Sequence, residues 1–282
     1  MTGYWLAAGL LGGVAVLGTL GAAVSERLSV VNYTVRSRKI RGRVRLLILS
    51  DLHSSTFGKE QKKLFDAVES ASPDAVLLCG DIVDDRVTDS AAWALLSFVG
   101  KRYPSFYVSG NHEVYTGRAE EIKREIRALG ITVLEGEGRP FSVGSDLLTV
   151  CGIDDPFASP DGRGRMWEEQ LRDCDRILSK EHFSVLLTHR PEPVGYYKET
   201  GFDLIVAGHA HGGQVRIPGL MNGLYAPNQG IFPRYAGGRY DLSGEQTMIV
   251  SRGLSRYVRP RVFNRPEVVA VDLLPEIEEK NR

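Results

Sequence analysis

A chain of 282 residues can bury one sizeable core, and with 43% hydrophobic and 25% charged residues it reads as globular rather than disordered. Its 35 basic and 35 acidic residues balance, which removes any whole-chain charge argument for a nucleic-acid partner. The three cysteines, Cys79, Cys151 and Cys174, are odd in number and in no CxxC spacing, which argues against a disulfide framework or a cysteine zinc site.

The first element is an uncharged stretch from Tyr4 to Val24. As a helix it would be about 31 Å long, matching the hydrocarbon core of a bilayer. Its glycines are poor in a soluble helix but tolerated in lipid. A cleaved signal peptide wants basic residues before the apolar run, and only Met-Thr-Gly precedes this one, although Ala23-Val24-Ser25 could serve as a cleavage site. A retained single-pass anchor is therefore expected. Arg27, Arg36, Arg38, Lys39, Arg41, Arg43 and Arg45 follow it and none precedes it, so the positive-inside rule puts the rest of the chain in the cytoplasm. The expected organisation is an anchor over 1–26, a basic juxtamembrane segment with the first strand over 27–42, one domain over 43–275, and a polar tail over 276–282. Gly9 and Gly13 form a weak GxxxG pair, and the oligomeric state stays open.

The domain alternates short apolar runs with amphipathic stretches, the pattern of an α/β or layered α+β fold. Five runs matter most: RLLILSD ending at Asp51, AVLLCGD at Asp81, SFYVSGN at Asn111, FSVLLTH at His189 and DLIVAGH at His209. Continuous Val, Leu, Ile and Phe are expected of strands covered on both faces. Helices are expected near Lys59–Ala71, Ser90–Gly100, Arg118–Leu129 and Met166–Leu178, with a short one between Pro191 and Thr200. Ligands of such folds lie beyond the carboxyl ends of the strands.

Each run stops on a residue able to bind a metal. In order the motifs are Asp51-Leu52-His53, Gly80-Asp81-Ile82-Val83-Asp84, Gly110-Asn111-His112-Glu113, His189 and Gly208-His209-Ala210-His211. Five of the six histidines fall in this set, and the sixth, His182, opens a strand rather than closing one. Residues two apart in a strand-end loop can point to one side, so Asp51/His53 and His209/His211 can each converge. The glycines before Asp81, Asn111 and His209 would permit a tight or positive-φ backbone. A lone DxH or GDxxD means little, but five such endings in one order describe a single site.

From Arg43 to Leu274 this ordered set resembles the calcineurin-like metallophosphoesterase superfamily. The runs GHAHGGQVRIPG from Gly208, FPRYAGGRYDL from Phe232 and SRGL from Ser251 are similar to a narrower branch, the YkuE/YaeI-like membrane-associated phosphoesterases. The resemblance implies a two-sheet β-sandwich flanked by helices, holding two divalent metal ions. One would be bound by Asp51, His53, Asp81 and His211, the other by Asp81, Asn111, His189 and His209, with Asp81 bridging. The mixed oxygen and imidazole set suits Mn²⁺, the expected ion, or Fe or Zn²⁺, better than Ca²⁺. A metal-bridging hydroxide would attack phosphorus in line. His112 resembles the histidine that protonates the leaving oxygen, with Asp84 orienting its ring. The basic, aromatic tail includes Arg234, Arg239 and Arg252, which could grip a second phosphate or a lipid headgroup. The implied reaction is hydrolysis of a phosphodiester or pyrophosphate bond, in a lipid-linked or envelope-related substrate. Rival readings are a UDP-2,3-diacylglucosamine pyrophosphatase of lipid A synthesis, a nuclease, against which neutral charge and an anchor argue, and a non-catalytic metal-binding scaffold, against which the complete set of ligands argues.

Overall fold

The computed structural model describes residues 23–158, 165–257 and 260–276. One six-stranded sheet runs in the order β1 (Ser29–Ser37), β14 (Glu267–Pro275), β2 (Val44–Leu49), β3 (Ala75–Cys79), β4 (Ser105–Val108), β5 (Thr132–Val133). A second runs β12 (Gly238–Asp241), β13 (Thr247–Val250), β9 (Leu204–Ala207), β8 (Phe183–Leu187), β7 (Asp146–Gly152), β6 (Gly138–Val143). A two-stranded hairpin, β10 (Tyr225–Ala226) and β11 (Gly230–Ile231), stands apart from both.

The five apolar runs are β2, β3, β4, β8 and β9, and both faces of each are dry. In β2, Leu46 and Ile48 enter the core shared between the sheets, while Leu47 and Leu49 enter a second core under helices. In β3, Leu77 and Cys79 face the first core and Val76 and Leu78 the second. The period-two alternation is present, but both sides are apolar, so the runs read as continuous.

Helices α1 (Lys62–Ala71), α2 (Ser90–Arg102) and α4 (Ala119–Ala128) cover the first sheet with Leu64, Val68, Leu95, Val99, Ile122 and Ile126. Their four-residue spacing puts these side chains on one stripe of each helix. Arg102 ends α2 because Tyr103 precedes Pro104 and takes an extended backbone. On the second sheet, α5 (Arg165–Arg176) buries Trp167, Leu171 and Cys174 against Cys151, Leu186 and Ile205. Two short helices, α3 (Asn111–Tyr115) and α6 (Val194–Tyr197), begin within a few residues of β4 and β8. All three cysteines are buried and free.

Within each sheet the site-forming strands run parallel, β2 with β3 and β4, and β8 with β9. Their carboxyl ends therefore share an edge of each sheet. Several basic residues after the apolar stretch belong to the domain's own ion pairs: Lys39 with Asp203 at 2.8 Å, and Arg43 and Arg45 with Asp272 at 2.9 and 2.7 Å. The expected anchor lies outside the described residues except at its end. Among the described residues no helix is long and apolar enough to cross a membrane.

Candidate metal centre

Backbone hydrogen bonds draw the strand-end loops together. Asp51 N donates to Gly80 O (3.0 Å), His53 N to Asp81 O (2.9 Å) and Gly208 N to His189 O (3.0 Å). Asp51, His53, Asp81, His209 and His211 all adopt positive φ, between 46° and 65°. Such a backbone costs a non-glycine residue about 1–2 kcal/mol, and its concentration here marks a functional region. One of the three glycines before these residues has the positive φ expected of it, and two have a different task. Gly80 is left-handed (φ 78°), but Gly110 has φ −106° and Gly208 is not in the positive region. A Cβ at Gly110 would collide with the Asp81 carboxylate, and one at Gly208 with that of Asp51. These two glycines let another loop's ligand approach.

The seven residues Asp51, His53, Asp81, Asn111, His189, His209 and His211 are all buried. Ligand atoms of Asp51, His53 and His211 lie within 4.8 Å of one another, as do those of Asp81, His189 and His209. Asp81 Oδ2 lies 3.1 Å from His189 Nε2 and 3.5 Å from His53 Nε2, so this carboxylate is common to both halves. His211 Nε2 is 3.7 Å from Asp51 Oδ1. Asp51 Oδ2, His53 Nε2, Asp81 Oδ2, Asn111 Oδ1 and His211 Nδ1 are buried without a hydrogen-bond partner. Buried polar atoms left unpaired are costly, and those of Asp51, His53 and Asp81, which belong to the clusters, fit divalent cations.

Three imidazoles are held by their other nitrogen. His53 Nδ1 donates to Asp84 Oδ2 (2.7 Å), His189 Nδ1 to the Cys79 carbonyl (2.8 Å) and His209 Nε2 to Asn228 Oδ1 (3.0 Å). Each bond fixes a tautomer and aims a lone pair inward, as outer partners of metal-binding histidines do. His189 Nε2 and His209 Nδ1 then face each other at 3.1 Å, two lone pairs that repel unless a cation or proton lies between them. Burial opposes charge on His189, but Asp81 outweighs it and pushes the ring up to about 10. Burial and the neighbouring His189 charge push His209 down to about 3. Asp81 itself sits well below the usual carboxylate range, its burial overcome by His189.

His112 differs from the seven. Its side chain keeps 20% of its exposure, and its ring stands edge-on to His53 with centroids 4.4 Å apart. The sequence pairs it with Asp84, but in the structure Nδ1 donates to Asp85 Oδ1 at 2.6 Å and stands 3.4 Å from Asp84 Oδ2. Asp84 is occupied by His53, and its carboxyl is held low, burial being outweighed by that hydrogen bond. Of the three tail arginines, Arg252 is bound to buried Glu267, and Arg239 to Asp241 and the Thr34 carbonyl. Arg234 is exposed beside the Tyr235 ring.

Sequence reasoning assigns no part to Glu113, Asp85, Asn228 or the buried Arg190–Asp155 pair (2.6 Å) beside His189. Glu113 carries a signal, since it stands three residues after the N-cap Gly110, the spacing of a capping box. Asn228 carries none, because only the β10–β11 turn brings it to His209.

A family model described as calcineurin-like phosphoesterase matches residues 44–213. An uncharacterized metallophosphoesterase of Campylobacter jejuni is 30% identical over 236 residues, covering 82% of this chain and 59% of that protein. Phosphodiesterase YaeI of Escherichia coli is 29% identical over 237 residues, 82% of each chain. A transmembrane protein with metallophosphoesterase domain from Bos taurus is 26% identical over 276 residues, 92% of this chain and 60% of that one. The chain spans about three fifths of the length of the first curated relatives it matches. Among solved structures, phosphopantetheinyl hydrolase of Mycobacterium tuberculosis shares the fold, with TM-score 0.50 and 13% identity over 86% of this chain and 100% of that one. The chain belongs to the calcineurin-like phosphoesterase family.

Proposed function

We propose that this protein is a metal-dependent hydrolase of a phosphodiester or pyrophosphate bond, anchored in the cell membrane and acting on a lipid-linked or envelope-related substrate. The observation that carries the reading is the gathering of two carboxylates and four imidazoles into buried clusters, with unpartnered atoms on Asp51, His53, Asp81, Asn111 and His211, beside one half-open imidazole. Asp51, His53, Asp81 and His211 would hold one ion, and Asp81, Asn111, His189 and His209 the other, with Mn²⁺ as the expected metal. When bound, the ions supply Lewis acidity, lowering the pKa of a water and neutralising charge on phosphate oxygens. Two divalent cations against two carboxylates leave a net charge of about +2, which favours an anionic phosphate ester.

The chain's own residues do the rest. Asp81 offers Oδ2 to both halves while Oδ1 accepts the His112 amide at 2.8 Å, which ties the acid's backbone to the bridging ligand. His112 donates its proton to the leaving oxygen, and Asp85 holds its ring by Nδ1. The sequence from Tyr4 to Val24, with the relatives named as transmembrane proteins from Bos taurus and Danio rerio, supports a single-pass anchor with the catalytic domain on the cytoplasmic side.

The test is a hydrolysis screen of metal-reconstituted protein. Substrates are nucleotide-lipid diphosphates, undecaprenyl phosphates, phospholipids and bis-aryl phosphates, with Asp81→Ala as the blank. Turnover of at least one class by wild type alone is expected. Inactivity on all of them with metals bound would sink the reading in favour of a scaffold.

A further inference from the structure

We infer that the β10–β11 hairpin and the turn before it form a membrane-docking face, with Ile217, Leu220, Leu224, Tyr225, Ile231 and Phe232 entering the headgroup region of a bilayer. This rests on the anchored reading above but not on the reaction assigned to the metal centre.

The face is open to solvent. Leu220 is 81% exposed, and Ile231 and Phe232 are each 68% exposed; Ile217, Leu224 and Tyr225 are exposed too. Large apolar side chains gathered in water mark an interaction surface, whereas scattered ones do not. These are gathered. Tyr225 pairs with Ile231 across the hairpin, Phe232 N donates to Leu224 O (2.8 Å), and Ile217 N donates to Met221 O (2.9 Å) across the preceding turn. Arg234 adds an exposed cation two residues after Phe232, suited to anionic headgroups.

The end of the apolar N-terminal stretch says what covers the face. Ala23, buried, accepts a hydrogen bond from Phe263 N at 2.6 Å, and Val24 is exposed. The neighbouring Val262 forms a β-bridge with Val215 and accepts from Arg216 N (2.9 Å), the residue before Ile217. The long uncharged stretch therefore meets the domain one bridge away from the exposed apolar turn. A bilayer that took up Tyr4–Val24 would lie within reach of the hairpin. The same hairpin carries Asn228 against His209, and Leu224 N is held by the carbonyl of Gly213 in the GHAHGG run. Docking it sets the metal centre beside the headgroup phosphates.

The experiment uses the full chain in vesicles of phosphatidylcholine and phosphatidylglycerol, with the environment-sensitive dye NBD on Leu220→Cys, Phe232→Cys or Ile177→Cys. The native cysteines are buried, and Ile177 is exposed beside Gly138 of β6, an edge strand of the second sheet. Blue-shifted emission at 220 and 232, quenched by headgroup spin-labelled lipid, with water-like emission at 177, is expected. Water-like emission at 220 and 232 would overturn the proposal. So would a blue shift without lipid quenching, which assigns the face to a protein partner or a second copy. The triple variant Leu220→Ser, Ile231→Ser, Phe232→Ser should hydrolyse a soluble bis-aryl phosphate as wild type does but lose about 10-fold or more on vesicle-borne phosphoester. Equal loss on both substrates would assign the hairpin to holding Asn228 and refute docking. Because the fluorescence needs no turnover, it decides docking even if the hydrolytic reading fails.

Discussion

Replacing Glu113 by Gln should unfasten the Asp81 loop, although Glu113 lies in neither set of converging ligands. The carboxylate is buried and accepts four backbone hydrogen bonds. Ile82 N and Val83 N reach Oε1 at 2.7 and 3.0 Å, and Asp81 N and Gly110 N reach Oε2 at 2.9 and 2.8 Å. Glutamine keeps the shape and one acceptor oxygen, but its amide nitrogen must face two N–H donors. Two buried donors are then orphaned at about 1–3 kcal/mol each, and the surviving pair loses its charge assistance. A loss of about 3–5 kcal/mol follows, a large share of the roughly 5–15 kcal/mol that holds a domain together. With a urea m-value of about 3 kcal/mol/M, the midpoint should fall by about 1 M or more at unchanged m. Measured in chelator, the shift reports the loop alone; metal analysis then reports what the loop does to Asp81. A midpoint within about 0.2 M of wild type, with full metal content, would refute the reasoning, because at that m-value it corresponds to only about 0.6 kcal/mol.

His112→Ala should keep its metals and lose turnover by about 10²–10⁴-fold, the span for removing an acid–base group; loss of metal by mass spectrometry would make His112 a ligand instead. Asp84→Asn and Asp85→Asn should separate. The first weakens metal affinity by about 10–100-fold through His53, while the second keeps metal and slows turnover through His112, and identical behaviour would erase the distinction drawn from their distances. Asp272 is held below its ordinary range chiefly by hydrogen bonds from Arg45 and then Arg43. A depressed carboxyl pKa adds stability above the unfolded value near ~3.9 and loses it as pH falls through the folded one. Asp272→Asn should therefore lower the urea midpoint at pH 7, with a deficit that shrinks as pH falls below the ordinary carboxyl range, and a deficit independent of pH would exclude the ion pair as the cause.

The interior strands are legible in the sequence because both faces of β2, β3, β4, β8 and β9 are buried and Arg45 and Ser184 are the polar residues within otherwise apolar runs that Ser105 opens. The seven candidate residues are legible for a related reason: each lies within four residues of the end of such a run. What stays hidden depends on contacts distant in the chain. Arg252 reads as a free cation until Glu267 is brought to it from β14. Asp84 and Asp85 are adjacent and chemically alike, and only the bend of their loop decides which serves His53 and which His112. The roles of Gly110 and Gly208 are hidden for the same reason, since their hydrogen side faces another loop rather than a turn of their own.

Metals should also act as part of the fold. Five of the clustered residues sit in left-handed backbone, and lone pairs of His189, His209 and Asp81 face one another near 3.1 Å. Without cations the cluster is a net liability, relieved only partly by protonating His189. Ions that bind this folded cluster and not the unfolded chain stabilise it by mass action, about 2.7 kcal/mol for one site at a hundred times its dissociation constant. At roughly 2–4 °C per kcal/mol for a domain of this size, saturating one site should raise the melting temperature by about 5–10 °C. Thermal melts of the chelated protein, titrated with Mn²⁺, should show this rise, and Asp81→Ala should not. If wild type melted at the same temperature with and without bound metal, the strained loops would be held by Glu113 and the strand ends alone. The lone pairs gathered around Asp81 would then need a partner other than a cation.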